Sequence, residues 1–458
     1  MNSEALPPLA APPAPSSGLS SGLADLAGPL ARLPRRGRYG TLAGVRGAAL
    51  SVAGLGPGVA IGDRLRIERG GLAPVEGEFV AFTPETALAV PEGGTEGLAP
   101  GARVWLDDPL RLRPCDAWMG RVIDSQGRPL DGRGPLPQGG AGVPLRRPAP
   151  DALRRRLMGD KLETGLRVLD VFTPVCRGQR LGIFAASGVG KSTLMGMLAR
   201  GAEADVIVVG LIGERGREAR EFLDHILGEA GRRRSVVIVS TSDQPALARR
   251  RAAQATLAVA EHFRAEGRQV FLLLDSITRL AHAQREIGLA AGEPATARSY
   301  TPSVFTELPA LLERAGPGPE GEGDITAIFT VLVDGDDHDE PIADAVRGIL
   351  DGHVVLDRRI GERGRWPAID VLRSVSRALP RCHDAEQNRL LGEARRLLSA
   401  HADMAEMIRL GAYRTGSDPL VDRAIRLQPA LDAFLGQGLE ERTGSAEAFA
   451  QLDGVLQA

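Results

Sequence analysis

An α/β protein is the fold class this sequence predicts: a parallel sheet flanked by helices, with a small β-barrel before it and a helical unit after it. Three observations predict it. Between Arg180 and Val333, five continuous runs rich in Val, Ile and Leu alternate with helical stretches, as strands buried on both faces of a parallel sheet do. Between Tyr39 and Leu106, six short strand-like runs stand at hairpin spacing. After about Leu379 the strand signal stops and apolar residues fall at helical spacing.

The amino-acid balance narrows the function. At roughly 150 residues per domain, the 458 residues make two to four domains around a sizeable core. Hydrophobic residues are 43% and charged residues 25% of the chain, ordinary globular values, and 56 Lys plus Arg against 58 Asp plus Glu leave a net charge of −2. That balance argues against a protein held on nucleic acid by bulk charge. No apolar run approaches the roughly 20 residues that span a bilayer, and residues 1–38 lack the charged start and apolar stretch of a secretory signal. Cys115, Cys176 and Cys382 stand far apart without a CxxC pair. This predicts neither a disulfide framework nor a zinc site, and points to a reducing, cytoplasmic compartment. Of the 56 basic residues only Lys161 and Lys191 are lysines, which hints at tasks that arginine's planar fork does not serve.

The elements follow in order. Residues 1–38, rich in Pro, Ala, Ser and Gly, read as a flexible tail. Within it Leu19, Leu23, Leu26, Leu30 and Leu33 share one helical face, a stripe suited to ordering on a partner or a membrane surface, with leucines in an unstructured tail as the plain alternative. In 39–106 the runs YGTLAGV, AALSVAG, RLRIE, GEFVAF, ALAV and RVWL are the barrel strands. Tyr39, Phe79, Phe82 and Trp105 are scattered among them and read as core rather than as a base-stacking platform. A Pro- and Gly-rich connector over 107–180 leads to the strands RLGIFA, DVIVVGLI, SVVIVS, QVFLLLD and DITAIFTVLV of a domain extending to residue 379. Residues 380–458 are helical, with Leu390, Leu391, Ala394, Leu397 and Leu398 on one face, Asp384 as an N-cap, and Asp418-Pro419 as a second helix start.

The chemistry begins at LGIFAASGVGKST, Leu181–Thr193, which reads as strand, glycine loop and helix start. It fits the phosphate-binding template G-x-x-x-x-G-K-[ST] except that Ala185 replaces the first glycine. In such a loop, Ala186, Ser187, Gly188, Val189, Gly190, Lys191, Ser192 and Thr193 present backbone N–H groups and a helix N-terminus to phosphate oxygens. Lys191 reaches the β- and γ-phosphates as a point charge, and Ser192 ligates Mg²⁺. FLLLDSITR places Asp275 at a strand end, where a carboxylate holds the Mg²⁺ hydration shell. Hydrolysis further needs a group that orients and deprotonates water. Glu214 in VGLIGERGRE stands at the end of the next apolar strand, where ligands of open α/β sheets bind. The alternative for Glu214 is a surface carboxylate paired with Arg215 or Arg217.

Together GIFAASGVGKST, LIGERGRE, LLLDSITRLAHAQREIGLAAGEPATARSYTPSVFTELPALLERAG, VLVDGDDHDEPIADAVRGILDGHVVLDR and WPAIDVLRSVSR closely resemble the type III protein-export ATPases. The likeness is greatest to the flagellum-specific ones, themselves similar to the catalytic β subunits of rotary ATP synthases, and spans about residues 39–440. It implies a RecA-like P-loop NTPase core that uses ATP and Mg²⁺, in a homohexameric ring with active sites at subunit interfaces. It also implies roles: Glu214 as the catalytic carboxylate, Arg215 as the γ-phosphate sensor, Asp275 as the Walker-B Asp with Arg279 at the family spacing after it, and Arg377 of SVSR as an arginine finger reaching the neighbouring subunit's site. Trp366 of WPAID falls where the family has an aromatic that stacks on adenine. The loop Gly292–Pro302 corresponds to one facing the ring's pore, and the barrel to a crown that holds the ring together. Ala186 departs from the family's usual glycine but leaves the loop's donors intact.

The implied function is ATP hydrolysis coupled to export of flagellar proteins through a membrane export gate. Peripheral-stalk and central-stalk export proteins, export substrates and chaperones are the implied partners. The ring itself is soluble, docks at the cytoplasmic face of the inner membrane and has no specific nucleic acid. The rivals are the ATPase of a virulence injectisome and a β-type subunit of a proton-driven ATP synthase; finding Glu214 and Arg377 in one chain favours a self-sufficient homo-oligomer. An RNA translocase is disfavoured by net charge and sparse aromatics, and a non-catalytic subunit by intact Lys191, Glu214 and Asp275. The triplets Arg154–Arg156, Arg232–Arg234 and Arg249–Arg251 read as solvated helix faces. The acidic run Asp334–Glu340 could suggest a metal site, but the resemblance implies a turn near subunit contacts, so His338 is not assigned as a ligand.

Overall fold

Alternation of apolar and polar residues closes the first unit. The computed structural model describes residues 39–56, 58–333 and 340–458; the leucine stripe of residues 19–33 and nearly all of the acidic run lie outside them. Strands β1 (Tyr39–Arg46), β2 (Ala49–Ala53), β3 (Arg64–Arg69), β4 (Leu72–Phe82), β5 (Ala87–Pro91) and β6 (Arg103–Asp107) form a closed barrel in the order β1-β2-β5-β4-β3-β6. Leu42, Leu50, Leu65, Ile67, Phe79 and Val104 fill its interior. Of the four aromatics read as core, only Phe79 is. The period-2 phase of their strands turns Tyr39 and Trp105 outward, where their rings pair at 5.6 Å, and Phe82 is 48% exposed.

The five apolar runs become strands of one parallel sheet. These are β8 (Arg180–Ala185), β9 (Val206–Ile212), β10 (Ser235–Ser240), β11 (Val270–Asp275) and β12 (Asp324–Leu332). Three strands that the apolar pattern alone does not mark extend it: β7 (Val122–Ile123), β13 (Gly352–Leu356) and β14 (Ile369–Ser376). The order is β14-β13-β8-β12-β11-β9-β10-β7. The connector therefore supplies an edge strand, with Val122 beside Val237, and β14 runs antiparallel to β13.

Helices cover both faces. Helix α1 (Lys191–Gly201) shares one core with the C-terminal helices α5 (Ala385–Arg409), α6 (Pro419–Leu435) and α7 (Ser445–Gln457), which join Leu194 and Leu198 to Leu391, Leu397, Leu431 and Leu452. Helices α2 (Ala246–Ala265), α3 (Ile277–Ala290) and α4 (Pro302–Leu312) cover the other. The Asp384 carboxylate accepts from the Gln387 N–H at 2.8 Å, and the Gln387 side chain accepts from the Asp384 N–H. That capping box starts α5, and Asp418 with Pro419 starts α6.

Two of the three arginine triplets are a correction; Arg232 and Arg233 do lie on a helix face, paired with Glu229 of the same helix. Arg250 and Arg251 are 3% and 2% exposed and grip Glu78 on the barrel at 2.7 and 3.1 Å, while Arg251 also pairs with Glu92. Arg155 pairs with Glu313 and Arg156 with Asp324. Each partner lies far away in sequence, so a local window reads only a run of charge.

Candidate active site

The site gathers at the carboxyl ends of adjacent parallel strands. From β8 the chain turns through Ser187 and Gly188 into α1, whose N-cap is Gly190 at φ +83° with no side-chain cap. The first-turn N–H groups of α1 have no intrahelical partner, and no capping side chain takes them, so they are free to bind an anion. A Cβ at Gly190 would stand 2.7 Å from the Trp366 ring. Only glycine allows both the left-handed turn and that contact.

Lys191, 8% exposed, begins α1 and points to two carboxylates. Its Nζ bonds Asp275 Oδ1 and lies 3.3 Å from Glu214 Oε1. Asp275 ends β11 and accepts from the Thr330 hydroxyl at 2.6 Å; Thr330 sits on β12, the strand between those bearing the loop and Asp275. Glu214 follows Gly213, whose φ of +72° turns the chain out of β9 and whose Cα packs against the Arg279 side chain. Burial raises the Glu214 carboxyl above the ordinary glutamate value, the Asp275 charge adds to that, and Lys191 opposes both; Glu218 shares a hydrogen bond with it. Burial works against the Lys191 charge, but Asp275 and Glu214 together raise it above the usual lysine value. The arrangement can hold a phosphate chain on amides and an ammonium, with a carboxylate poised as a base. Ser192, half-buried in the first turn of α1, and Asp275 offer one hydroxyl and one carboxylate. That is the sparse set Mg²⁺ takes when phosphates and water complete its shell.

The remaining predicted residues fall in different places. Ala186 and Val189 are buried under the loop, Ser187 and Gly188 are exposed at its tip, and Thr193 is half-buried. Trp366 is 45% exposed, its ring lying against Gly190 and Gly361. Arg215 is 75% exposed and meets only Glu218, at 3.7 Å, among the described residues. Arg279 carries a buried Nε with no hydrogen-bond partner among the described residues. Arg377 is exposed at the opposite end of the sheet: its N–H donates to the Asp351 carbonyl oxygen, level with Arg180 at the start of β8. Five strand steps of about 3.3 Å, roughly 17 Å, separate that level from the loop of its own chain. Arg358, whose guanidinium donates to the Ser187 carbonyl oxygen at 2.9 Å, and Thr330 and Glu218 were not singled out by sequence. The polar Thr330 near the end of a largely apolar strand was the available signal.

Comparison with known proteins places this geometry. The ATP synthase alpha/beta family nucleotide-binding domain matches residues 165–376, and the T3SS EscN ATPase C-terminal domain matches residues 383–454. The flagellum-specific ATP synthase of Caulobacter vibrioides is 55% identical over 425 residues, 92% of this chain and 96% of its own. The type 3 secretion system ATPase of Xanthomonas euvesicatoria is 46% identical over 414 residues, 90% of this chain and 92% of its own. The assembled ATPase EscN of the enteropathogenic E. coli type III secretion system matches with a TM-score of 0.85 at 38% identity, over 91% of this chain and 100% of EscN. EscN in complex with its central stalk EscO matches with a TM-score of 0.82 at the same identity and coverage. The chain belongs to the ATP synthase alpha/beta family and, within it, to the flagellum-specific and type III secretion ATPases, enzymes that hydrolyse ATP for type III protein export.

Proposed function

We propose that this chain forms a homohexameric ring that hydrolyses ATP with Mg²⁺ to energise export of flagellar proteins, each site lying between two subunits. The observation that carries the reading is the approach of Lys191 Nζ to Glu214 Oε1 at 3.3 Å beside the uncapped start of α1. The amides from Ala186 to Thr193 hold the phosphate chain, and Lys191 leaves its carboxylates for the β- and γ-oxygens. Glu214 orients a water and takes its proton as the oxygen attacks the γ-phosphorus; the bond to the bridging oxygen breaks and ADP leaves. A carboxylate raised by burial is a stronger base at neutral pH than an ordinary one. Mg²⁺ would be held by Ser192 and Asp275 and would supply charge neutralisation to the phosphate chain. Arg215 senses the γ-phosphate, Arg279 supports the Glu214 turn, and Trp366 offers adenine its exposed face. The separation of Arg377 from its own loop supports a finger that serves the neighbour.

Flagellar export is favoured over an injectisome by 55% against 46% identity; the likeness to EscN keeps the injectisome as the second reading. The EscN–EscO complex supports a central-stalk partner. Peripheral-stalk proteins, the export gate, substrates and chaperones complete the set, with the ring docked at the cytoplasmic face of the inner membrane. No helix among the described residues is long and apolar enough to cross a membrane. Phosphate release by the purified chain should require Mg²⁺ and stop with EDTA; release unaffected by EDTA contradicts the metal role. Co-purification from the native cell should bring flagellar export components, whereas injectisome components would establish the second reading.

A further inference from the structure

The loop between β8 and α1 is gripped from outside by a residue the hydrolytic steps do not use. In the parallel register of β8 with β13, Phe184 stands beside Val355, so Ser187 and Arg358 each follow that pair by three residues and emerge together past the strand ends. There the Arg358 guanidinium donates to the Ser187 carbonyl oxygen at 2.9 Å. Its base is fixed. Asp357 caps the short helix Arg358–Glu362 by accepting from the Arg359 N–H at 2.7 Å, and the Asp357 N–H donates to the Ala368 carbonyl oxygen at 2.9 Å. The loop is also tied at its two ends. The Val333 N–H donates to the Ala185 carbonyl oxygen at 3.1 Å, and the Leu194 N–H to that of Gly190 at 3.0 Å. Between those ends, the tie from the loop to the rest of the chain among the described residues is Arg358. Gly188, at φ +79°, has open space where a Cβ would stand, so packing does not hold the tip. Arg155, Arg156, Arg250 and Arg251 pair with carboxylates, whereas Arg358 spends its charge on a neutral carbonyl.

We propose that Arg358 is a positioning residue for the phosphate cradle: by holding the Ser187 carbonyl outward, it keeps the N–H of Gly188 turned into the loop. The inference rests on reading residues 186–193 as the ATP cradle. A planar trans peptide sets its carbonyl and the following N–H on opposite sides. The Ser187 carbonyl is drawn to an exposed guanidinium, so the Gly188 N–H faces the inner side of the loop, where Lys191 is buried. An amide already turned to the anion binds it without the ordering cost of an unheld tip. The guanidinium also polarises the peptide it grips, which makes the same N–H a stronger donor. Arg358 touches neither nucleotide nor metal in this role and acts through the Ser187–Gly188 peptide.

The test compares full-length Arg358→Ala with wild type by calorimetric titration with ADP and with the non-hydrolysable analogue AMP-PNP. Both should bind about tenfold more weakly, the low end of what a charge-assisted hydrogen bond contributes. The KM for ATP should rise by the same factor while kcat stays within about twofold, because the loop grips substrate and transition state alike. Tripolyphosphate, which has no base, should lose the same factor as a competitor of ADP. Tm should hold, since the side chain is exposed. Arg358→Lys restores a donor and should recover binding to within about threefold of wild type. The loss in Arg358→Ala should persist at about 0.5 M KCl, where a long-range field is screened and a direct contact is not. Wild-type protein that binds neither nucleotide would overturn the cradle and this role with it. Wild-type binding matched by Arg358→Ala, a loss that vanishes in salt, a fall in kcat with KM unchanged, or a loss of Tm would overturn the role of Arg358 alone.

Discussion

Lys191 answers to two carboxylates and Glu214 to a lysine and two acids, so substitutions at the two ends of this contact should part company. Lys191→Ala removes the one ammonium of the cradle and should abolish ATP binding, read by a fluorescent nucleotide. Glu214→Gln keeps shape and should bind ATP while hydrolysis falls about 10²–10⁴-fold, the range for losing a positioned base. Because burial and Asp275 raise the Glu214 carboxyl, its base form appears only above the ordinary value of 4.5. The acid limb of kcat/KM should therefore lie above that pH, and a limb at or below it would remove Glu214 as the base. Trp366 offers a separate reading. Its ring is 45% exposed beside the loop, so Trp366→Ala should weaken ATP binding about tenfold, within the roughly 1–3 kcal/mol of base–aromatic stacking, and leave Tm nearly unchanged. Nucleotide should also change its fluorescence once Trp105 is replaced by Phe; Trp118, 1% exposed and bonded to the Pro137 carbonyl oxygen, stays as constant background. Loss of Tm without a fluorescence response would make Trp366 a packing residue. Lys191, Glu214 and Asp275 were legible because a contiguous loop and the ends of parallel strands announce themselves locally. Thr330 and Arg358 were not, because each reaches the site from a strand or segment distant in sequence; Glu218, only four residues after Glu214, was masked by the charged run around it.

At the scale of elements, the barrel is bolted to the core through Glu78. Burial works against its charge, but Arg250, Arg146 and Arg251 hold its carboxyl below the ordinary value. A depressed carboxyl contributes stability that is complete above the unfolded value near 4.5 and is lost as pH falls through the lower folded one. Glu78→Gln leaves two buried guanidiniums short of a counter-charge and should cost about 3–5 kcal/mol at pH 7. Urea unfolding followed by Trp105, on the barrel wall, measures it, and the gap to wild type should close in acid; a variant as stable as wild type at pH 7 would mean the pair carries no net load. The same contact explains what the sequence concealed. The six barrel strands and five sheet strands were legible because their alternation or continuous apolarity is a local signal. Strand β14 escaped because an edge strand carries Asp370, Arg373 and Ser374 among its apolar residues, and β7 because two residues in a Pro-rich connector have no periodicity. The triplets at 154–156 and 249–251 looked solvated because Glu78, Glu313 and Asp324 meet them only after folding.

For the whole molecule, the sheet separates two functional ends. The loop with Lys191 lies at one end of β8, and Arg377 lies level with the other. Edge strand β14 also leaves Leu372 and Val375 42% and 45% exposed, and Leu153 and Leu157 are 97% and 91% exposed in the connector. Exposed apolar residues at a sheet edge and in a connector suit burial against a second copy, as a ring requires. A site shared across that contact is tested most directly by mixing two inactive proteins. Arg377→Ala alone should lose about 10³-fold or more in ATP hydrolysis, as removal of arginine fingers does, and Glu214→Gln alone should be inactive as above. In equimolar mixed rings about one interface in four joins an intact Glu214 to an intact Arg377. Hydrolysis should then recover to about that fraction of wild type. Rings shown by native mass spectrometry to be mixed, yet no more active than either variant alone, would contradict the shared site.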